Sequence, residues 1–317
     1  MSAAIPARTV GHSIAAVERE TRLGKDTLRI WERRYGFPQP DRNAAGERVY
    51  TAEQLDKLRI IKRLRDRGHR PAKIVNCTLG ELHALSEAMV NSWPPESSAS
   101  QPDFAAYLEL CRQHQVEDLR HALSQALMRM GLQKFILELL GPLNRLVGDH
   151  WAHGTFAVFE EHLYTEVVQN LMRNAISGMI NPNGKLLARP RVILSTLPQE
   201  GHGLGLLMAE AMFCIEGAYC VSLGMQTPVR DITRAAQAQR ADIIALSLSE
   251  AMNPRQALEA LNELAGSVPA GMEIWIGGNC PTVARVNQAN IFSPTLGKLD
   301  DALQQWRLRS GTPDQQR

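Results

Sequence analysis

The chain has 317 residues, 44% of them hydrophobic and 21% charged, with 35 Lys/Arg against 33 Asp/Glu for a net charge of +2. That length exceeds one compact domain, and the composition excludes collagen-like, disulfide-scaffold and globally disordered classes. Five scattered cysteines (Cys77, Cys111, Cys214, Cys220, Cys280) include no C-x-x-C pair and support neither a disulfide framework nor a cysteine zinc site. No stretch approaches the roughly 18 apolar residues of a membrane span, and the opening MSAAIPARTV lacks the apolar region of a secretory signal. A cytoplasmic protein is expected. Charge is unevenly spread: residues 1–75 hold 17 Lys/Arg against 9 Asp/Glu, leaving 18 against 24 downstream. A basic N-terminal module suits a polyanion such as DNA, and the acidic remainder does not.

In chain order, Ser13 can cap a helix, IAAVERE, separated by a turn at Thr21 to Gly24 from a second helix, KDTLRIWERRYG, stopped at Gly36 with Pro38 beyond. This is helix-turn-helix spacing. Leu28 and Trp31, at i and i+3, can face the core, with Tyr35 in core or hairpin packing. Lys25, Thr27, Arg29, Arg33 and Arg34 are left to reach outward into a major groove and to its phosphates. FPQPDRNAAGERVY then predicts an extended wing, and Arg42, Arg48 and Tyr50 complete the candidate DNA contacts. Thr51 and Gln54 form a capping box for a third helix with the apolar stripe Leu55, Leu58, Ile61 and Leu64. Over residues 12–76 this series resembles the DNA-binding domain of MerR-type regulators, and TLRIWERRYGFPQPDR is especially similar to their CarH/LitR-like branch.

The Pro- and Ser-rich NSWPPESSASQPD predicts a linker at 91–102, after a DNA-binding domain at 1–90. From 103 to 182 four helical stretches predict a four-helix bundle, its third helix kinked at Pro142. In WAHGTFAVFEEH, Trp151 ends one helix, Gly154 and Thr155 turn, and Glu161 and His162 lie nearly two turns into the next. By residue type alone, Trp151 is a core residue, Glu161 a surface charge and His162 a satisfied bundle histidine. The pattern of tryptophan, nine residues, then Glu-His resembles the signature of light-sensing cobalamin regulators. That resemblance implies that Trp151 and Glu161 pack against and bond an upper adenosyl group, and that His162 can approach the metal once the group leaves. His153, Glu160 and Glu166 fall outside it.

From 183 to 310, short β-branched runs (RVILSTL, YCVSLG, DIIALSLS, EIWIGG) alternate with helical ones and predict a Rossmann-like parallel sheet with helices on both faces. Ligands of such sheets sit at the carboxyl ends of strands. GHGLG lacks the G-x-G-x-x-G spacing, and no phosphate-loop lysine accompanies it, so NAD and ATP have little support. Instead Glu200, His202 and Gly205 resemble the E/D-x-H-x-x-G motif of cobalamin-binding domains. The resemblance implies His202 as lower axial ligand of cobalt, Glu200 as its hydrogen-bond partner, and a nucleotide tail beside Ser247, Ser249, Gly277 and Gly278. The usual S-x-L is here Ser247-Leu248-Ser249. Taken together, the fold class is multidomain α plus α/β: winged helix-turn-helix, four-helix bundle, Rossmann-like cobalamin-binding domain.

The expectation is a non-enzymatic, homo-oligomeric, light-responsive regulator that binds double-stranded DNA and uses adenosylcobalamin, a cobalt corrinoid, as chromophore. A MerR-type regulator with a vestigial site or a different ligand is the alternative, and a corrinoid methyltransferase subunit is a further reading.

Overall fold

The computed structural model describes residues 11–21, 23–43, 45–66, 69–90, 102–152, 154–179, 189–280 and 288–311. The chain forms two compact units, Met1–Ser98 with Ala152–Thr155, and Ala99–Trp151 with Phe156–Arg317. Among the described residues no helix is long and apolar enough to cross a membrane.

The first unit runs β1 (His12–Ser13), α1 (Ile14–Thr21), α2 (Lys25–Tyr35), β2 (Asp41–Arg42), β3 (Arg48–Tyr50), α3 (Ala52–Asp66), α4 (Pro71–Ile74) and α5 (Leu79–Val90). Ser13 caps α1, its Oγ accepting from the Ala16 N–H at 3.2 Å. Thr21 Oγ1 donates to the Val17 carbonyl and accepts from the Leu23 N–H, so one hydroxyl ends α1 and starts the turn to α2. Gly36 closes α2 at φ 71°, a left-handed position that suits glycine. The wing is β2 and β3 in antiparallel pairing, and β3 pairs on its other side with β1, too short a strand to leave a sequence pattern. Val17, Leu28, Trp31 and the Leu55, Leu58, Ile61, Leu64 stripe form the core. Only half of the box expected at α3 is present. Thr51 Oγ1 accepts from the Gln54 N–H at 3.2 Å, but the Gln54 amide donates to the Gln39 carbonyl at 2.6 Å and so ties the wing to α3. The reciprocal box lies at α5, between Thr78 and Glu81.

The second unit begins with α6 (Phe104–Arg112), α7 (Val116–Met130), α8 (Leu132–Lys134), α9 (Gly141–Ala152) and α10 (Val158–Met179). Between α8 and α9 lies a π-helical turn, Phe135–Leu140, in which the Gly141 N–H reaches back five residues to the Ile136 carbonyl. The disturbance expected at Pro142 takes this form: the wider turn accommodates a ring that brings no N–H and would crowd the preceding turn.

Next come β4 (Arg191–Ser195), α11 (Leu204–Ile215), β5 (Tyr219–Gly224), α12 (Val229–Ala238), β6 (Ile243–Ser247), α13 (Pro254–Ser267), β7 (Glu273–Gly277), β8 (Ile291–Phe292) and α14 (Leu299–Ser310). All strands are parallel, in the order β5-β4-β6-β7-β8. This order reverses direction between β4 and β6, which opens a crevice above their carboxyl ends. The period-two alternation of the strands divides their side chains: Val192 and Leu194 face the helical segment, while Ile193, Ile244 and Ile274 face α12 and α13. Helix α11 packs on the sheet and on α10, which explains why LGLLMAEAMFCI is apolar almost all round. Helices α6 to α10 and one sheet face share a single core.

Candidate cofactor cradle and nucleic-acid face

At the crevice, the loop from β4 to α11 carries Glu200, of which only 1% is exposed. Its Oε1 accepts from the His202 backbone N–H at 2.9 Å and from ring Nδ1 at 2.7 Å. Its Oε2 accepts from the backbone N–H and the hydroxyl of Ser249, both at 2.7 Å, just beyond β6. Burial by itself would raise this carboxyl's pKa, but the hydrogen bonds from His202 and Ser249 outweigh it and hold the group below the ordinary carboxylate range. An ionised carboxylate only accepts, so Nδ1 carries a proton, and in the neutral imidazole the lone pair is then on Nε2. The His202 side chain is half exposed at 51%.

The loop is braced from beneath. Buried Thr196 donates to the Glu200 carbonyl at 2.7 Å and accepts from the Gln226 N–H at 2.8 Å, and Ser195 donates to Thr227 Oγ1 at 2.9 Å. Sequence reasoning misses Ser195, Thr196 and Thr227, whose one signal is a polar pair interrupting the apolar run of RVILSTL. The glycines also prove tighter than expected. A Cβ on Gly205 would stand 2.6 Å from Ser247 Oγ, and one on Gly278, at φ 101°, would stand 2.1 Å from the Leu248 carbonyl oxygen. The direction a side chain would take at Gly278 is therefore filled by the 248 backbone, while a Cβ on Gly277 would meet nothing closer than 4.0 Å.

Could these residues hold a cobalt corrinoid? The donor set suits it: one imidazole oriented by a carboxylate, its second nitrogen open at the strand ends, is the arrangement a cobalt ligand needs. Among the described residues no three His, Cys, Asp or Glu gather to hold a bare ion, so a metal here has to bring most of its own ligands.

In the helical segment, Trp151 sits in the last turn of α9, half-buried against the core. The Phe156 N–H bonds the His150 carbonyl at 3.1 Å and closes the turn. Helix α10 starts at Val158, later than the sequence predicts, so Glu161 lies in its first turn and His162 opens the second, rather than both lying nearly two turns in. Glu161 accepts from Thr165 Oγ1 at 2.7 Å, and His162 Nε2 lies 3.6 Å from Glu161 Oε2. The His162 side chain is 70% exposed, which is not the state of a satisfied bundle histidine. Glu160 has a structural task, accepting from the Ala157 N–H at 2.6 Å and pairing with His114 at 3.0 Å. His153 lies outside the described residues. Asn144 of α9 accepts from the Tyr164 hydroxyl of α10 and donates to Met208 Sδ of α11 at 3.6 Å, so the helices bearing the tryptophan signature are tied to the helix that follows His202.

On the first unit, Lys25, Arg29, Arg33, Arg34 and Arg42 are exposed and Thr27 is half-buried. Lys25 pairs with Glu18 at 3.4 Å, Arg29 with Asp26 at 3.3 Å, and Arg34 lies over the Tyr35 ring. Arg33 has no ionic partner among the described residues. Arg42 donates to the Gly46 carbonyl at 2.7 Å within the wing. Two expected DNA contacts are placed otherwise. Tyr50 is fully buried, because β3 is the central strand and turns this ring into the core. Arg48 is half-buried and bonds Glu32 of α2 at 2.9 Å; that hydrogen bond pushes its pKa up and fixes wing to helix.

A family model for the MerR HTH family of regulatory proteins matches residues 12–78, and two models for B12 binding domains match 104–175 and 190–295. The HTH-type transcriptional repressor CarH of Myxococcus xanthus is 30% identical over 287 residues, 89% of this chain and 92% of that protein. The repressor CarA of the same organism is 27% identical over 255 residues, 79% and 81% of the two chains. Among solved structures, the Methanosarcina barkeri monomethylamine corrinoid protein matches 63% of this chain and 96% of its own, at 15% identity and a TM-score of 0.49.

Proposed function

The chain belongs to the MerR-type transcriptional regulators that carry B12-binding domains, the family of CarH, and on that premise we propose that it is a light-responsive regulator with adenosylcobalamin as its chromophore. The observation that carries the reading is the His202 ring, fixed through Nδ1 by an ionised, buried Glu200 and left with Nε2 open at the crevice between β4 and β6.

In this reading His202 would hold the cobalt through Nε2, and Glu200 would strengthen it as a donor while fixing its tautomer. Trp151 and Glu161 would pack against and bond the adenosyl group, and Ser247, Ser249 and the glycine pair would receive the nucleotide tail. When bound, the cofactor supplies a cobalt–carbon bond that light cleaves. Exposed His162 would be a nitrogen donor within the same segment as Trp151 and Glu161, available to the metal in the absence of the adenosyl group. Because α9 and α10 are bonded to each other and to α11, a shift at the signature moves the whole helical face. Such a change alters self-association, and with it avidity for a repeated DNA site held by Arg29, Arg33, Arg34 and Arg42. The protein acts in the cytoplasm, on double-stranded DNA, as a homo-oligomer.

The test is reconstitution with adenosylcobalamin in the dark, followed by absorbance, size-exclusion and DNA-retention measurements before and after green light. A corrinoid spectrum that changes on illumination, together with a change in oligomer size and DNA affinity, is expected. A protein that retains no corrinoid, or whose assembly ignores light, overturns the reading. The Ser247-Leu248-Ser249 run in place of the usual S-x-L favours one second reading, a regulator with another ligand; His202→Ala with regulation intact would select it.

A further inference from the structure

Helix α2 turns Lys25, Asp26, Arg29, Ile30, Arg33 and Arg34 to solvent. All but one are charged. The exception is Ile30, 47% exposed, which lies one turn from Asp26 and Thr27 on one side and from Arg33 and Arg34 on the other. It is therefore near the middle of the outward stripe. The buried residues of the helix, Leu28 and Trp31, lie on the other side, so Ile30 adds nothing to the core. A β-branched aliphatic is also a poorer helix former than the arginines and lysine around it. Neither packing nor helix propensity accounts for it.

We propose that Ile30 is a base-reading residue that packs on the 5-methyl group of a thymine in the major groove, while the flanking arginines hold the backbone. The proposal rests on the DNA-binding reading above. Charge commits the face to a polyanion: Arg33 has no ionic partner among the described residues, and Arg29 and Arg34 stand exposed to either side of Ile30. On the base edges of that groove, the thymine methyl is the one apolar feature, and aliphatic side chains are its usual partners. The cations supply sequence-independent grip, so Ile30 contributes discrimination out of proportion to its share of the affinity.

The experiment exposes the full chain to a randomised duplex pool, sequences the retained duplexes and replaces each recurrent thymine in turn by deoxyuridine, which removes only the methyl. One replacement is expected to weaken binding roughly four-fold, the worth of one buried methyl group. Ile30→Ala should lose about the same factor on the thymine duplex and be indifferent to that replacement, a non-additive cycle. Arg33→Ala should weaken binding to both duplexes alike. Circular dichroism and a thermal melt verify that Ile30→Ala is folded, as expected for an exposed site. Insensitivity to every thymine replacement, or an Ile30→Ala protein that keeps the sensitivity, overturns the assignment and leaves DNA binding intact. Retention of no duplex removes both.

Discussion

Ser249 supplies two of the four hydrogen bonds that keep Glu200 ionised while buried. Ser249→Ala removes the hydroxyl and leaves the backbone N–H, so a buried carboxylate oxygen loses one donor; urea unfolding should register a loss of about 1–3 kcal/mol. The crevice is equally sensitive to added atoms. Gly205→Ala puts a methyl against Ser247 Oγ, and overpacking of this kind costs roughly 1–3 kcal/mol. Ser247→Ala in the same chain removes the opposing oxygen and should recover part of that loss, which a double-mutant cycle measures. Glu200, His202 and Gly205 are legible in the sequence because they fall within one short motif. The use of Ser249 is not, since its contact with Glu200 spans 49 residues and is set by the parallel pairing of β4 with β6. Tyr50 misleads for a related reason: alternation in a three-residue strand does not tell the groove face from the core face.

At the scale of elements, the fully buried Tyr164 joins α10 to Asn144 of α9, whose amide reaches α11. Burial pushes the Tyr164 hydroxyl well above the usual phenol range, so it stays a neutral donor. Tyr164→Phe keeps the packing and leaves the Asn144 oxygen without this donor, and a loss of about 1–2 kcal/mol in thermal or urea unfolding is expected. The long helices α7 and α10 and the strands β4 to β7 are legible from period alone. Three features are not. The π turn before Pro142 depends on how the chain absorbs a missing donor, β8 is only two residues long, and α10 starts late because the Glu160 carboxylate caps the Ala157 N–H.

Across the whole molecule, the composition breaks expected at 91–102 and near residue 183 fall almost wholly outside the described residues, and the shared core that makes the helical and α/β segments one compact unit is not visible in sequence. Its trace is α11, too apolar on every side for a helix that covers a single sheet face. Glu210 is the acid on that helix. Burial raises its pKa, against the opposing charge of Arg173. A carboxyl raised in the folded state costs stability once pH exceeds the ordinary carboxylate range, and costs nothing below it, where folded and unfolded chains are both protonated. Glu210→Gln should therefore melt higher than the wild type at neutral pH, with the gap closing on acidification. The position of α11 also limits what any rearrangement can be. Were the bundle to peel off, one flank of this greasy rod, including Leu204 and Met208, would be stripped bare to water. Motion that glides along the rod or pivots about it keeps that flank dry, so an environment-sensitive dye should stay dark through the transition.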